Sequence, residues 1–137
     1  MLPLRHARAW RVLSVALVIF VLIAAVTPVF WFFDSPAKAV SWFQNIDKWL
    51  HATTFATLSL WFAGLFAKRN YWLIAAGLMT FGLLLEFLQF QIGYRTADWF
   101  DIGANTVGII IGLSASLAGL GEWCLRLEDW YSKRKQL

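Results

Sequence analysis

The stretch VLSVALVIFVLIAAVTPVFWFF, residues 12–33, contains no charged residue over 22 consecutive positions. A helix needs about 20 predominantly apolar residues to cross the hydrocarbon core of a bilayer. The apolar core of a signal peptide covers only about 7–15 residues, so we expect a first transmembrane helix here rather than a cleaved leader. The chain as a whole is 60% hydrophobic and 15% charged, which places it outside the class of soluble globular domains.

Three further apolar segments, residues 49–67, 71–90 and 102–121, are each close to the same length. Their helix faces are almost free of charge, unlike those of soluble amphipathic helices. Open strands are excluded at this depth because lipid cannot satisfy their backbone groups. We therefore predict an all-α fold, a polytopic membrane helix bundle with four transmembrane helices that forms a single domain over residues 1–137.

Lysine and arginine flank these segments unequally, with nine on one side and three on the other. Because basic loops stay in the cytoplasm, the count predicts that both termini are cytoplasmic, an N-in/C-in topology. Residues 122–137 then form a basic cytoplasmic tail. Its sequence LRLEDWYSKRKQL is typical of an amphipathic segment on an anionic inner leaflet, although a merely solvated tail fits equally well.

The net charge of +4 does not predict a nucleic-acid partner, because the basic residues cluster at the ends of the helices. Small residues recur at four-residue spacing in the last apolar segment, at Ala104, Gly108, Gly112 and Ser116. Such a stripe lets another helix approach closely. Plain packing is the preferred interpretation, and a homodimer through the Gly108/Gly112 face is the alternative.

Polar residues within or beside the apolar segments gather at one predicted depth. At 1.5 Å per residue, Glu86 lies about 22 Å from Tyr71, roughly 8 Å short of the outer edge of a 30 Å core. Asp47 and His51 share a helix face, as do Glu86 and Gln89. The chain therefore predicts one outward-facing ligand site with these members: Asp47, Lys48, His51, Glu86, Gln89, Arg95, Asp98, Asp101 and Asn105.

Each of these residues also has a structural interpretation. Asp47 and Lys48 could form an interfacial collar, and His51 could be a hydrogen-bonded structural histidine. Asp98 and Asp101 could cap the last apolar helix, since carboxylates suit a helix N-terminus. The joint placement of three segments at one depth favours a shared site, because ionisable groups within a membrane usually face a bundle interior or a wet cavity.

Three stretches together resemble the VanZ-like family of bacterial integral membrane proteins. They are DKWLH (47–51), EFLQ (86–89) and RTADWFDIGANTVGIIIG (95–112). The resemblance implies a bacterial cytoplasmic (inner) membrane protein of the cell envelope. The namesake of the family is linked to resistance to the glycopeptide teicoplanin, so the resemblance also implies a link to antibiotic resistance, without supplying a reaction.

The acids of the predicted site outnumber its fixed cations, which leaves a formal charge of −2 with His51 neutral. A protonated acid, a divalent metal ion or a cationic group on a substrate could each compensate this charge. The candidate metal ligands are Asp47, His51, Glu86, Asp98 and Asp101. The candidate catalytic residues are His51, oriented by Asp47, and Glu86 as an acid; the sequence does not decide whether the chain is an enzyme.

Two functions follow as hypotheses. In the first, the site binds or processes a lipid headgroup or a lipid-linked cell-wall precursor, with Lys48 and Arg95 on the phosphate. In the second, the chain is a non-enzymatic scaffold or a small transporter subunit, and the polar cluster is a structural network. A transport route predicts polar residues through the whole membrane, and the inner two-thirds of the predicted bundle contains no ionisable residue.

Overall fold

The computed structural model contains five α-helices and describes residues 1–27, 36–92 and 99–134, with only the backbone described over 36–45. The helices are α1 (Ala7–Val26), α2 (Pro36–Leu65), α3 (Tyr71–Ile92), α4 (Trp99–Ala115) and α5 (Trp123–Arg134). A 3₁₀ turn over Lys68–Asn70 joins α2 to α3, and a π-helical turn over Ser116–Leu120 follows α4. The described residues form no strand, so the predicted all-α class is confirmed.

The ends of α1 and α2 differ from the sequence-based bounds of 12–33 and 49–67. Helix α1 starts earlier, at Ala7, and ends at Val26, because Thr27 is extended and Pro28 in the sequence disfavours a helical residue before it. The predicted residues 28–33 lie outside the described part. Helix α2 begins at Pro36, a residue that fits the first helical turn because its missing N–H needs no partner there.

The ends of α4 also differ from the predicted range of 102–121. The helix begins at Trp99, so Asp101 lies in its first turn. It leaves the α-helical path at the π-helical turn, where Gly119 has a φ of 131° that only glycine adopts without strain. The predicted tail then forms helix α5, which is a separate element with its own buried residues.

Within the described residues, three helical segments are long and apolar enough to cross a membrane: Ala7–Val26, Lys68–Ile92 and Trp99–Leu120. Helix α2 has the length but is less apolar than these, because it carries the polar residues around Asp47. No side chain of α1 is fully buried: Leu17 and Val21 pack partly against the core, while Val15, Ile19 and Phe20 are exposed. Such a continuous exposed apolar surface needs lipid around it, which makes this chain a membrane protein.

The first four helices alternate in direction. Gln89 near the end of α3 contacts Ala25 near the end of α1, so these two helices are parallel. Helix α3 is antiparallel to α2, since Tyr71 reaches the carbonyl of Ala63 while Glu86 lies beside His51. The arrangement places His51 at one end of the bundle, about 21 Å along α2 from Leu65 at the other end.

Helices α2 and α4 run parallel and pack closely through small residues. A Cβ atom added at Gly108 would collide with the carbonyl oxygen of Ala52, and one at Gly112 would collide with that of Ala56. The close helix contact predicted from the small-residue stripe is therefore made within the chain, as the packing interpretation expected. Homodimerisation stays a prediction.

Both ends of the described chain lie at the end of the bundle opposite His51. The carboxylate of Glu128 in α5 accepts hydrogen bonds from the backbone N–H groups of Arg5 and His6 at 2.7 and 3.0 Å. It also accepts from the indole of Trp10 at 2.9 Å. Trp10, Trp61 and Trp123 meet edge to face with ring centroids 5.6–5.8 Å apart. We call this group of contacts the terminal clasp.

The terminal clasp also encloses the one cysteine of the chain. Cys124 is fully buried, and this burial, together with the charge of Glu128, raises the pKa of its thiol to about 12. The thiolate is the reactive form of cysteine. Cys124 is therefore a packing residue with no thiolate to offer near neutral pH.

Candidate functional site at the His51 end of the bundle

Five polar side chains from three helices are buried together around His51. They come from the middle of α2, from the last third of α3 and from the first two turns of α4. The members are Asp47, His51, Glu86, Asp101 and Asn105, and each is at most 8% exposed. We call this set the His51 cluster. The four-residue spacing of Asp47 and His51 puts them on one face of α2, as the sequence predicts.

The imidazole of His51 has a different environment at each nitrogen. Nδ1 lies 2.9 Å from Oδ1 of Asn105, a hydrogen-bond distance. Because an amide oxygen only accepts, this contact assigns the proton to Nδ1. Nε2 then faces the carboxylates of Asp47, Asp101 and Glu86 at 3.7, 3.9 and 4.0 Å. These three distances exceed hydrogen-bond lengths.

Lys48 lies at the rim of the cluster. Its side chain is half exposed, yet its Nζ reaches 3.5 Å from Oδ1 of Asp101, which is buried. The same ammonium lies 5.6 Å from the centre of the Phe100 ring. On an α-helix Lys48 lies about 100° round the axis from Asp47. The long, flexible lysine side chain nevertheless brings its ammonium group to the cluster.

The other predicted members divide into two groups. Gln89 is buried, and its amide donates a hydrogen bond to the carbonyl of Ala25 at 2.9 Å. That contact fastens α3 to the last turn of α1, so this amide nitrogen has a structural task. Arg95 and Asp98 lie outside the described residues, and their membership of the site stays a prediction.

Gly82 packs against Asn105 of the His51 cluster, and this role was not predicted from the sequence. A Cβ atom there would lie 3.0 Å from Nδ2 of Asn105 and 3.2 Å from the ring of Phe55. The missing side chain therefore makes room for Asn105 between α3 and α4. The available signal was a glycine four residues before Glu86, on the same face of an apolar helix.

Exposed aromatic side chains lie close in sequence to members of the cluster. Trp49, Trp99 and Phe100 are each more than 70% exposed, next in sequence or nearly so to Lys48 and Asp101. Such rings are typical of the boundary between lipid tails and headgroups. The His51 end of the bundle therefore combines a buried acidic interior, a cation at the rim and an apolar exterior.

Comparison with known proteins identifies the class to which this fold and site belong. The family model for VanZ/LLP1 matches residues 3–119. The chain therefore belongs to the VanZ/LLP1 family, as the resemblance of its polar motifs indicated. No curated protein and no solved structure matches the chain.

Proposed function

We propose that this chain binds the headgroup of a lipid, or of a lipid-linked envelope precursor, from the outer side of the bacterial inner membrane. The observation that carries the proposal is the burial of His51 and four other polar side chains between α2 and two helices that are apolar enough to cross a membrane. Ionisable residues in such helices are costly and usually mark a site. The plain packing of a bundle does not need them.

The position of Lys48 supports an anionic headgroup as the ligand. Its half-exposed ammonium is anchored at the rim by Asp101 and can turn outward to a phosphate without crossing the apolar exterior. The exposed rings of Trp49 and Trp99 offer an apolar surface for the tail of the same molecule. A polyprenyl phosphate or a phospholipid has both parts, a charged head and a long apolar tail.

The proposed function goes with four membrane spans, namely the three apolar segments given above and α2. The 30 residues of α2 correspond to about 45 Å, more than a 30 Å core requires, and its second half lies against α4 at Ala52 and Ala56. The residues before and at the start of α1 meet helix α5 at the terminal clasp, at the end opposite His51. With the basic flanks on the cytoplasmic side, the topology is N-in/C-in and the cluster faces outward.

Helix α5 supports the same orientation, because one of its faces fits an anionic inner leaflet. Leu127, Trp130 and Tyr131 form an exposed apolar stripe on it, and Arg134 stacks on the Trp130 ring at 4.4 Å. Exposed aromatic residues beside basic ones are typical of helices that lie in the membrane interface. The proposed position of α5 is therefore parallel to the inner surface of the bilayer.

Binding alone accounts for the cluster, and catalysis would add one role for His51. Within the cluster the described residues offer no serine or cysteine nucleophile, so a covalent acyl intermediate is not part of the proposal. A bond-breaking version would use His51 as general base, with Asp47 beside it and Glu86 as an acid. Headgroup binding is the common requirement of both versions.

The test is native mass spectrometry of the purified protein with polyprenyl phosphate and phosphatidylglycerol added in mixed micelles. The wild-type chain should retain one of them, and Asp101→Asn should lose at least about tenfold in affinity, because a good charge-assisted contact contributes 1.5–3 kcal/mol. Asp129→Asn on the exposed side of α5 is the matched control, since it removes an equal charge far from His51.

Two outcomes decide between the proposal and its alternative. If Asp101→Asn binds both lipids as the wild type does and only melts earlier, the cluster is a structural network and the scaffold hypothesis is correct. If Asp129→Asn loses binding equally, the contact is not at the His51 cluster. A chain that handles an envelope precursor should also change teicoplanin susceptibility when it is deleted, a readout that lipid binding in vitro does not require.

A further inference from the structure

The His51 cluster brings together three side-chain atoms of the kind that bind metal ions. One oxygen each of Asp47 and Asp101 and a ring nitrogen of His51 all lie within 4.8 Å of one another, in the described part of the chain. All three residues are buried. Nε2 of His51 is separated from the two carboxylate oxygens by 3.7 and 3.9 Å.

These separations match atoms that share a cation better than atoms that bond to each other. Ligand atoms lie about 3.3 Å apart around tetrahedral Zn²⁺ and up to about 4 Å apart around a larger ion. A hydrogen bond from Nε2 would need about 2.7–3.2 Å, and Nε2 lies 3.7, 3.9 and 4.0 Å from the carboxylates of Asp47, Asp101 and Glu86. The nitrogen points into the space that the acids surround.

The hydrogen bond on the other side of the ring strengthens this interpretation. Asn105 accepts from Nδ1 of His51, so Nε2 is the nitrogen that faces the three carboxylates. A cation bound by Nε2 would offset the repulsion among these carboxylates. A histidine that donates its far N–H to a fixed acceptor is also the usual arrangement of a metal ligand.

The formal charge agrees with a divalent ion. The three described acids, Asp47, Glu86 and Asp101, against Lys48 leave −2 with His51 neutral, and adding Arg95 and Asp98 from the sequence does not change the sum. Such an excess within a bundle is costly without a compensating cation. One imidazole with two carboxylates suits Zn²⁺ or Mn²⁺ better than the all-oxygen shells of Mg²⁺ and Ca²⁺.

The geometry points to a divalent-metal site in which Asp47, His51 and Asp101 are the protein ligands and Asn105 orients the imidazole. The inference deepens the proposed function and rests on it in one respect, namely that the bound cation would be the positive part of the same headgroup site. Glu86, at 4.0 Å from Nε2, lies just outside the three-atom set and would act on the ion through its charge.

The experiment uses the full chain without an affinity tag, in detergent, after removal of metal with a chelator. Calorimetric titration with Zn²⁺ and with Mn²⁺ should give about one ion per chain for at least one of them. His51→Gln and Asp101→Asn should abolish saturable binding. Asn105→Ala should weaken it by about 10–100-fold, as loss of an orienting partner does. His6→Gln is the matched control, because His6 is the other of the two histidines.

Pulsed electron paramagnetic resonance of the Mn²⁺-loaded wild type gives a readout that depends on no variant. One imidazole nitrogen should couple to the ion. No saturable binding of either ion, Mn²⁺ that binds without nitrogen coupling, or an equal loss in His6→Gln would each overturn the metal site. Lipid retention measured in the same metal-free sample separates the two proposals, since a chain that binds polyprenyl phosphate but no ion keeps the proposed function and loses this inference.

Discussion

Glu128 shows how a single residue can join distant parts of the chain. Its burial raises the pKa of the carboxyl, but the hydrogen bonds from His6, Trp10 and Arg5 outweigh burial and hold that pKa below the ordinary value of 4.5. A carboxyl with a lowered pKa in the folded state stabilises the protein above its ordinary pKa. That stabilisation disappears as the pH falls through the lower folded value.

The first prediction concerns this carboxylate. Glu128→Gln should lower the free energy of unfolding at pH 7 by about 1–3 kcal/mol, because a charged acceptor of several hydrogen bonds is lost. The difference from wild type should shrink as the pH falls below 4.5. Thermal unfolding in detergent measures it, and Asp129→Asn on the same helix should behave like wild type. An equal effect of both variants would mean that the terminal clasp does not form.

At the scale of the element, the pairing of α2 with α4 depends on an absence of side chains. Gly108 lies against the backbone of Ala52. This close contact also keeps Asn105, about one turn earlier on α4, beside His51. Gly103 on the same helix is exposed and has nothing near the place where a Cβ would be. The two glycines therefore differ only in what they face.

The second prediction compares these glycines. Gly108→Ala should destabilise the fold by about 1–3 kcal/mol, because the added methyl group forces two backbones apart. Gly103→Ala should cost nothing, since alanine favours a helix more than glycine does. Thermal unfolding followed by tryptophan fluorescence measures both. Equal midpoints for the two variants would contradict the close contact of α2 with α4.

The elements also show what sequence reasoning can and cannot supply. Residues 71–90 were predicted as a helix and α3 covers them, because apolar length fixes a span. The convergence of His51, Glu86 and Asn105 followed from depth and helical spacing. The early start of α2 could not be predicted in the same way. The length of an apolar segment indicates which residues cross the membrane, but it does not show how far the helix continues beyond them. Lys48 with Asp101 and Glu128 with Trp10 depend on side chains that meet only in the tertiary structure.

At the scale of the molecule, the bundle has two unlike ends. One end holds the terminal clasp and the basic helix α5, and the other holds the acidic His51 cluster with exposed aromatic residues around it. A chain built this way has a fixed orientation in a charged membrane. The proposed function requires the cluster to face outward.

The third prediction tests that orientation with single cysteines in a Cys124→Ser background. Gln91→Cys lies at the His51 end and is exposed, and Ser132→Cys lies on α5 at the other end. A thiol reagent that cannot cross membranes should label Gln91→Cys in intact spheroplasts and label Ser132→Cys only after lysis. The reverse pattern would turn the site to the cytoplasm, and labelling of both in intact spheroplasts would contradict the placement of the two ends of the bundle on opposite sides of the membrane.

The central claim, that the His51 cluster binds a lipid headgroup, is tested most directly by crosslinking. A polyprenyl phosphate with a photoreactive group beside the phosphate is irradiated with the protein in nanodiscs, and the labelled peptides are mapped. The label should fall on residues 47–51 and 99–105 and should be lost in Asp101→Asn but not in Asp129→Asn. Label confined to α5, or spread over α1 and unchanged in Asp101→Asn, would contradict the claim.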